Sequence, residues 1–258
     1  MKDSIIESDV RLAERLATEA GAILLALQAS SGLTGKALGA AGDAQANTYL
    51  MRLLRAARPD DAILCEEEKD SGDRCAVSRA WIIDPLDGTR EYGEGRADWA
   101  VHVALAIDGV ATVGAVALPA LGFTLTSGAP KPLAPAGDPL RMLVSRTRPA
   151  REAVAVAEAI GATLVPMGSA GAKAMAVVRG EADIYLHTGG QYEWDNCAPI
   201  AVAQAAGLHV SRVDGSVLRY NCADPYLPDL LICRAELAEH VLALVRDLPP
   251  AEGRAGEV

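Results

Sequence analysis

Phenylalanine is almost absent from this chain, with one residue in 258 beside three tryptophans and six tyrosines. Ala and Gly take its place, which reflects genome composition more than function. Basic runs and basic stripes interleaved with aromatics are also missing, and the formal net charge is −10. A nucleic-acid groove needs such cations to displace counterions, so no nucleic-acid partner is expected. Cysteine pairs are lacking too. Cys65, Cys75, Cys197, Cys222 and Cys233 are odd in number, scattered, and free of any CxxC. Zinc and structural disulfides are disfavoured, and free thiols in a reducing compartment are the expectation. No apolar run reaches spanning length, and the first residues, MKDSIIESD, have no signal-peptide pattern. No membrane partner and a cytoplasmic location are expected.

The remainder is ordinary globular composition, 50% hydrophobic and 22% charged. The length permits one large domain or two intimately packed ones. Ser4-Ile5-Ile6-Glu7 has the form of a capping box, and apolar residues from Val10 to Leu27 then recur at helical spacing. Residues 31–42 read as a mobile Gly-rich loop, with a second helix starting at Asp43. Ala62–Cys65 reads as a short strand and residues 90–98 as a loop. Ala100–Ile107 and Val110–Leu118 flank Asp108-Gly109, a hairpin signal. Four prolines within 130–139 mark a boundary, giving expected domains 1–139 and 140–258. The first half reads as helices on an antiparallel sheet. The second half alternates strand and helix and is expected to be an α/β layered domain. The tail 249–258 is expected to be disordered.

One stretch organises the rest: Trp81-Ile82-Ile83-Asp84-Pro85-Leu86-Asp87-Gly88-Thr89. An apolar strand runs into two acids three apart. Burying one carboxylate near another costs several kcal/mol unless a cation or proton intervenes. Pro85 fixes its own φ and biases Asp84 toward extended backbone. Asp84, the Leu86 carbonyl and Asp87 then offer three oxygen ligands, which suit Mg²⁺ or Mn²⁺ rather than zinc. A helix turn starting at Gly88-Thr89 would add free N–H groups for an anion. An isolated DxxDG would more often be a turn whose acids satisfy local N–H groups. Further acids argue against that here. Glu66 leaves a strand of the same half, ahead of Glu67 and a solvated Glu68. Asp195, in Glu193-Trp194-Asp195-Asn196, precedes an Ala-rich helix as its expected N-cap.

These residues resemble a known family. Asp84 to Thr89 is similar to the DPxDGT motif of the inositol monophosphatase superfamily. Trp194-Asp195-Asn196-Cys197-Ala198 through Ala206-Gly207 resembles its WDxAA…AG motif, and Glu66 its strand-end glutamate. The resemblance implies a layered αβαβα sandwich like that of fructose-1,6-bisphosphatase. It implies two or three Mg²⁺ on Glu66, Asp84, the Leu86 carbonyl, Asp87 and Asp195, with Mn²⁺ as a substitute and Li⁺ as an inhibitor. Gly88 and Thr89 would hold the phosphate, and a metal-activated water would attack in line. Thr89, bonded to Asp43, would help activate that water. The loop before Asp43 departs from the usual pattern, and Lys36 is its only lysine. Homodimers are common in the family.

The substrate expected from the resemblance is a small phosphate ester. Lys173, after Ser169-Ala170-Gly171-Ala172, and His187 resemble the branch acting on 3′-phosphoadenosine 5′-phosphate, where a basic pair would meet a second phosphate. Gly189 to Asp195 and Leu218-Arg219-Tyr220-Asn221 resemble the CysQ-type 3′(2′),5′-bisphosphate nucleotidases of sulfate assimilation, in their actinobacterial form. Ser145, Ser169, Tyr220 and Asn221 are further candidate contacts. Inositol monophosphate and fructose 1,6-bisphosphate are the alternative substrates, and a non-catalytic binding or regulatory role is the alternative class. The haloacid dehalogenase signature, mimicked by Leu86-Asp87-Gly88-Thr89, fails because Pro85 stands where its nucleophilic Asp is required.

Overall fold

The computed structural model describes residues 7–70 and 72–249. Ser4 to Ile6 of the expected capping box, and residues 250–258 of the tail, lie outside the described residues. The first helix, α1 (Asp9–Ser30), is capped instead by Ser8, whose Oγ accepts from the Arg11 N–H at 3.4 Å.

Helix α2 spans Gly35–Ala57, so most of the expected loop 31–42 is helical and Asp43 lies well inside the helix. The glycines serve close packing rather than mobility. A Cβ on Gly39 would stand 2.6 Å from Thr89 Cγ2, and one on Gly42 2.9 Å from Tyr92 Cε1. The small residues let α2 lie directly on α3 (Thr89–Gly93), a short helix where a loop was expected.

The first sheet runs β1 (Ala62–Cys65), β2 (Arg79–Asp87), β3 (Ala100–Ile107), β4 (Val110–Leu118) and β5 (Phe123–Thr126), in chain order. It is antiparallel except that β1 pairs parallel with β2. The hairpin turns at Asp108-Gly109, both with positive φ (51° and 77°), as a two-residue loop matching strand twist requires. The second half adds β6 (Arg141–Ser145), α4 (Arg151–Ile160), β7 (Thr163–Met167), α5 (Ala170–Val178), β8 (Ile184–His187), β9 (Gln191–Tyr192), α6 (Glu193–Ala205), β10 (His209–Ser211), β11 (Tyr226–Leu227), β12 (Leu230–Cys233) and α7 (Ala238–Asp247). Its main sheet has the order β10-β12-β8-β6-β7, parallel where β6 meets β7 and β8 and antiparallel at β12. Strands β9 and β11 form a separate ribbon. The short strands β9, β10 and β11 carry too few residues for a periodic signal.

Strand alternation sorts the core into layers. Trp81, Ile83, Val101, Val103 and Leu105 pack against Leu12, Leu16, Leu24, Leu50 and Leu54 of α1 and α2. The opposite face, with Ile82, Ala104, Ala106 and Val116, joins α5, α6 and the inner face of the second sheet through Leu143, Tyr185 and Ile232. That sheet's outer face, with Met142, Val144, Ile184 and Leu231, is covered by α4 and α7. The result is the expected αβαβα sandwich. Among the described residues no helix is long and apolar enough to cross a membrane.

Candidate active site

Residues three apart on a regular strand face opposite sides, so Asp84 and Asp87 need a device to share one. The register supplies it. Asp84 opposes His102 and Asp87 opposes Ala100, with a shift between them. Three steps on β2 face two on β3, a one-residue bulge that returns Asp87 to the side of Asp84. Both carboxylates are buried, at 1% and 6% exposure. Asp84 Oδ1 accepts the Leu86 N–H at 3.0 Å across Pro85.

Asp195 arrives from the other half. It is not the N-cap of α6, which is Tyr192, but the third residue of the helix, and its Oδ2 accepts the Tyr192 N–H at 2.6 Å. Its neighbour Trp194 stacks on the Tyr192 ring, with centroids 4.8 Å apart. One carboxylate oxygen each from Asp84, Asp87 and Asp195 lies within 4.8 Å of the others. Glu66 follows β1 and continues the pairing through its N–H to the Ile83 carbonyl at 3.3 Å. Although Glu66 is exposed as a residue, burial of its carboxyl and the charges of Asp195, Asp43 and Asp87 push its pKa up to about 7. Burial and the charge of Asp87 raise Asp195 to about 6, and burial with Glu66, Asp87 and Asp195 drives Asp84 well above its usual range. Four acids in mutual repulsion, all with hard oxygen donors, fit one or more divalent cations. Glu68 is drawn aside, accepting from Asn47 Nδ2 at 3.0 Å and Arg55 at 3.1 Å.

Asp87 behaves differently. Its Oδ1 accepts the Ala170 N–H at 3.1 Å, and its Oδ2 accepts the Gly171 N–H at 2.6 Å and the Ser169 hydroxyl. It therefore lies against the N-terminus of α5, whose dipole favours an anion. Against the cost of burial, the charge of His102 and these donors hold its pKa at about 2. Thr89 Oγ1 donates to the Leu86 carbonyl at 3.0 Å, and its hydroxyl acts to lower the pKa of Asp43 against larger raising effects. Burial and the charge of Glu67 raise Asp43 to about 7. Gly88 precedes α3 with φ 87°, a conformation that favours glycine.

Lys173 is buried on α5. Its Nζ donates to the Gly168 and Ser169 carbonyls at 2.8 and 2.7 Å and lies 5.3 Å from the centroid of the Tyr185 ring. His187 Nε2 bonds to the Gly190 carbonyl at 3.1 Å, and burial, opposed by that bond, lowers its pKa. Ser145 Oγ, at the end of β6, accepts the Arg148 N–H at 3.3 Å. Lys36 is exposed in the first turn of α2. Tyr220 is withdrawn from any pocket: it is 3% exposed and donates to Asn196 Oδ1. Asn221 ties Arg74 and Val77 by hydrogen bonds to their carbonyls. His102 was not anticipated from the sequence. It is fully buried, its Nδ1 lies 3.0 Å from the Trp194 carbonyl, and its Nε2 lies 3.2 Å from Asp87 Oδ2. Its signal was a single polar ring in the apolar strand that follows the acidic turn.

Comparison with known proteins decides the family. The inositol monophosphatase family model matches residues 5–249. The chain belongs to the inositol monophosphatase family. It is similar to the 3′-phosphoadenosine 5′-phosphate phosphatase of Mycobacterium leprae, at 49% identity over 93% of this chain and 94% of that protein. The enzyme of the same name from Mycobacterium bovis is 52% identical over 89% and 90%. The crystal structure of CysQ from Bacteroides thetaiotaomicron superposes with a TM-score of 0.74 at 22% identity, covering 89% of this chain and 98% of that one. That structural likeness shows the shared family fold.

Proposed function

We propose that this chain is a divalent-cation-dependent phosphatase that removes the 3′-phosphate of 3′-phosphoadenosine 5′-phosphate, leaving AMP and inorganic phosphate. The 5′-phosphosulfate analogue is a second substrate in this reading. The observation that carries the chemistry is the convergence of Asp84, Asp87 and Asp195 within 4.8 Å from both halves of the chain. The names of the mycobacterial relatives at about half identity support the substrate. A place in sulfate assimilation and a reducing compartment belong to the same reading, and the five free cysteines are compatible with such a compartment.

Asp84, Asp87 and Asp195, with Glu66, would hold the cations, Mg²⁺ by the hardness of the donor set, with Li⁺ as a competing inhibitor. When bound, such cations lower the pKa of water and offset charge on the phosphoryl oxygens. The chain supplies the rest. Gly88 and Thr89 seat the phosphate, and Thr89 Oγ1 orients the attacking water. Asp43, with a pKa of about 7, accepts its proton near neutral pH. As the bond from phosphorus to the 3′-oxygen breaks, a second water gives that oxygen a proton and takes back the one held by Asp43, so ester and water end as the 3′-hydroxyl of AMP and inorganic phosphate.

The test is a side-by-side measurement of phosphate release from 3′-phosphoadenosine 5′-phosphate, inositol 1-phosphate and fructose 1,6-bisphosphate, with and without Mg²⁺. The nucleotide is expected to give the highest kcat/KM, and Asp87→Ala to abolish turnover of all three. A preference for inositol phosphate overturns the substrate assignment. Turnover surviving Asp87→Ala overturns the site.

A further inference from the structure

His102 stands between the two halves of the acidic site. Strand β3 places it directly across from Asp84, on the face that meets α5 and α6. Its ring is fully buried. The Trp194 carbonyl, 3.0 Å from Nδ1, can only accept, so Nδ1 carries a proton. Nε2 lies 3.2 Å from Asp87 Oδ2 and has no aligned hydrogen-bond partner among the described residues. One nitrogen is thus anchored to the backbone immediately before Asp195, and the other presses on the carboxylate of Asp87. The space is reserved for this contact. A Cβ on Gly171 would come within 2.0 Å of Nε2 and 3.1 Å of Asp87 Oδ2. Only glycine at the start of α5 lets the ring reach the acid.

We propose that His102 is a positioning residue that sets the separation and orientation of Asp87 relative to Asp195, and thereby the cation affinity of the site. The proposal rests on the reading that these acids hold a divalent cation. The ring is a strut of fixed length. Without it, Asp87 keeps its bonds to Ser169, Ala170 and Gly171 but loses its link to the turn that carries Asp195. Partners of this kind behind a ligating carboxylate typically govern metal affinity about 10- to 100-fold.

Two variants separate the two ends of the strut. An asparagine amide reaches the position of Nδ1, and a glutamine amide that of Nε2. His102→Asn therefore retains the Trp194 bond and loses the contact with Asp87, and His102→Gln does the reverse. Binding is read with Mn²⁺ as the probe, from loss of the free-ion electron paramagnetic resonance signal, with circular dichroism and Tm recorded in chelator. His102→Asn and His102→Gln each cut one end of the strut, and both are expected to weaken Mn²⁺ binding by about 10- to 100-fold. A purely structural role predicts that binding follows Tm in both variants, or that either variant binds like the wild type. Either result overturns the proposal. Should neither variant fold, the ring ¹⁵N resonances of the wild-type His102 decide the matter. They are expected to move on addition of Mg²⁺, and unmoved signals refute the role. Absence of Mn²⁺ binding by the wild type would instead sink the reading of the site itself, and this inference with it.

Discussion

The two faces of β2 and β3 are built from the same nine and eight residues and do opposite work. The outer face carries Trp81, Ile83, Val101, Val103 and Leu105, all fully buried against α1 and α2. The inner face carries Ile82, Asp84, His102, Ala104 and Ala106 beneath α5 and α6. The outer face buries bulk and stabilises the fold. The inner face trades bulk for alanine, so that helices approach closely and two charged groups fit between them. Stability and chemistry are thus separated by the two-residue period of a strand, and neighbouring positions should respond to substitution in opposite ways.

The largest expected contrast is between Ile83 and Asp84. Ile83→Ala removes a buried branched side chain and should cost about 2–5 kcal/mol of stability, leaving Mn²⁺ affinity unchanged. Asp84→Asn keeps an oxygen for the Leu86 N–H and removes one charge from a mutually repelling set. It should raise Tm in chelator while lowering kcat/KM by about 10³-fold, the equivalent of roughly 4 kcal/mol of lost transition-state stabilisation. Denaturation in chelator and steady-state kinetics in Mg²⁺ read both. An Asp84→Asn enzyme that is less stable and still active would erase the distinction between the faces.

This contrast also explains what could be read in advance. The outer face, the hairpin and the acidic turn follow from alternation and turn chemistry, which are local. The αβαβα order and the convergence of Asp84, Asp87 and Asp195 were legible for that reason and through the family resemblance. Helix α2 was misread at its start because Gly39 and Gly42 look like a loop until Thr89 and Tyr92 are seen packed against them. Asp195 was taken for a cap because its true cap, Tyr192, has no short polar side chain of the capping type. His102 was missed because its meaning depends on Trp194, ninety-two positions away. The misreadings of α2 and His102 rest on contacts distant in sequence, and that of Asp195 on a local cap of unusual residue type.

A smaller effect sharpens the comparison through pH. Asp43 and Glu66 titrate near 7 and Asp195 near 6 in the folded chain, against roughly 4 when unfolded. The folded state therefore binds more protons than the unfolded state between about pH 4 and 7, and stability falls as pH rises through that window. Asp87, held at about 2, contributes stability that is lost only on acidification below about 4. In chelator, Tm should drop by several degrees from pH 5 to pH 8. Mg²⁺ should restore more at pH 8 than at pH 5, because the ion binds the charged acids. A Tm in chelator that is flat or rises over this range would contradict the cluster of raised acids.

The smallest expected effect concerns substrate choice at the edge of the inner layer. Lys173 and His187 were expected to meet a second phosphate as a cationic pair. Lys173 spends two donors on the Gly168 and Ser169 carbonyls beside Asp87, so its removal would disturb the acidic cluster as well. His187 is the cleaner probe. Burial lowers its pKa, so at neutral pH it would meet a phosphate as a neutral hydrogen-bonding group. Such a bond contributes about 0.5–1.5 kcal/mol, which corresponds to roughly a 2- to 12-fold change. His187→Ala should therefore raise KM for 3′-phosphoadenosine 5′-phosphate by about that factor, with kcat held, and leave kcat/KM for a 3′-monophosphate unchanged. Equal losses on both substrates would place His187 in the support of β8 and leave the second phosphate to other groups.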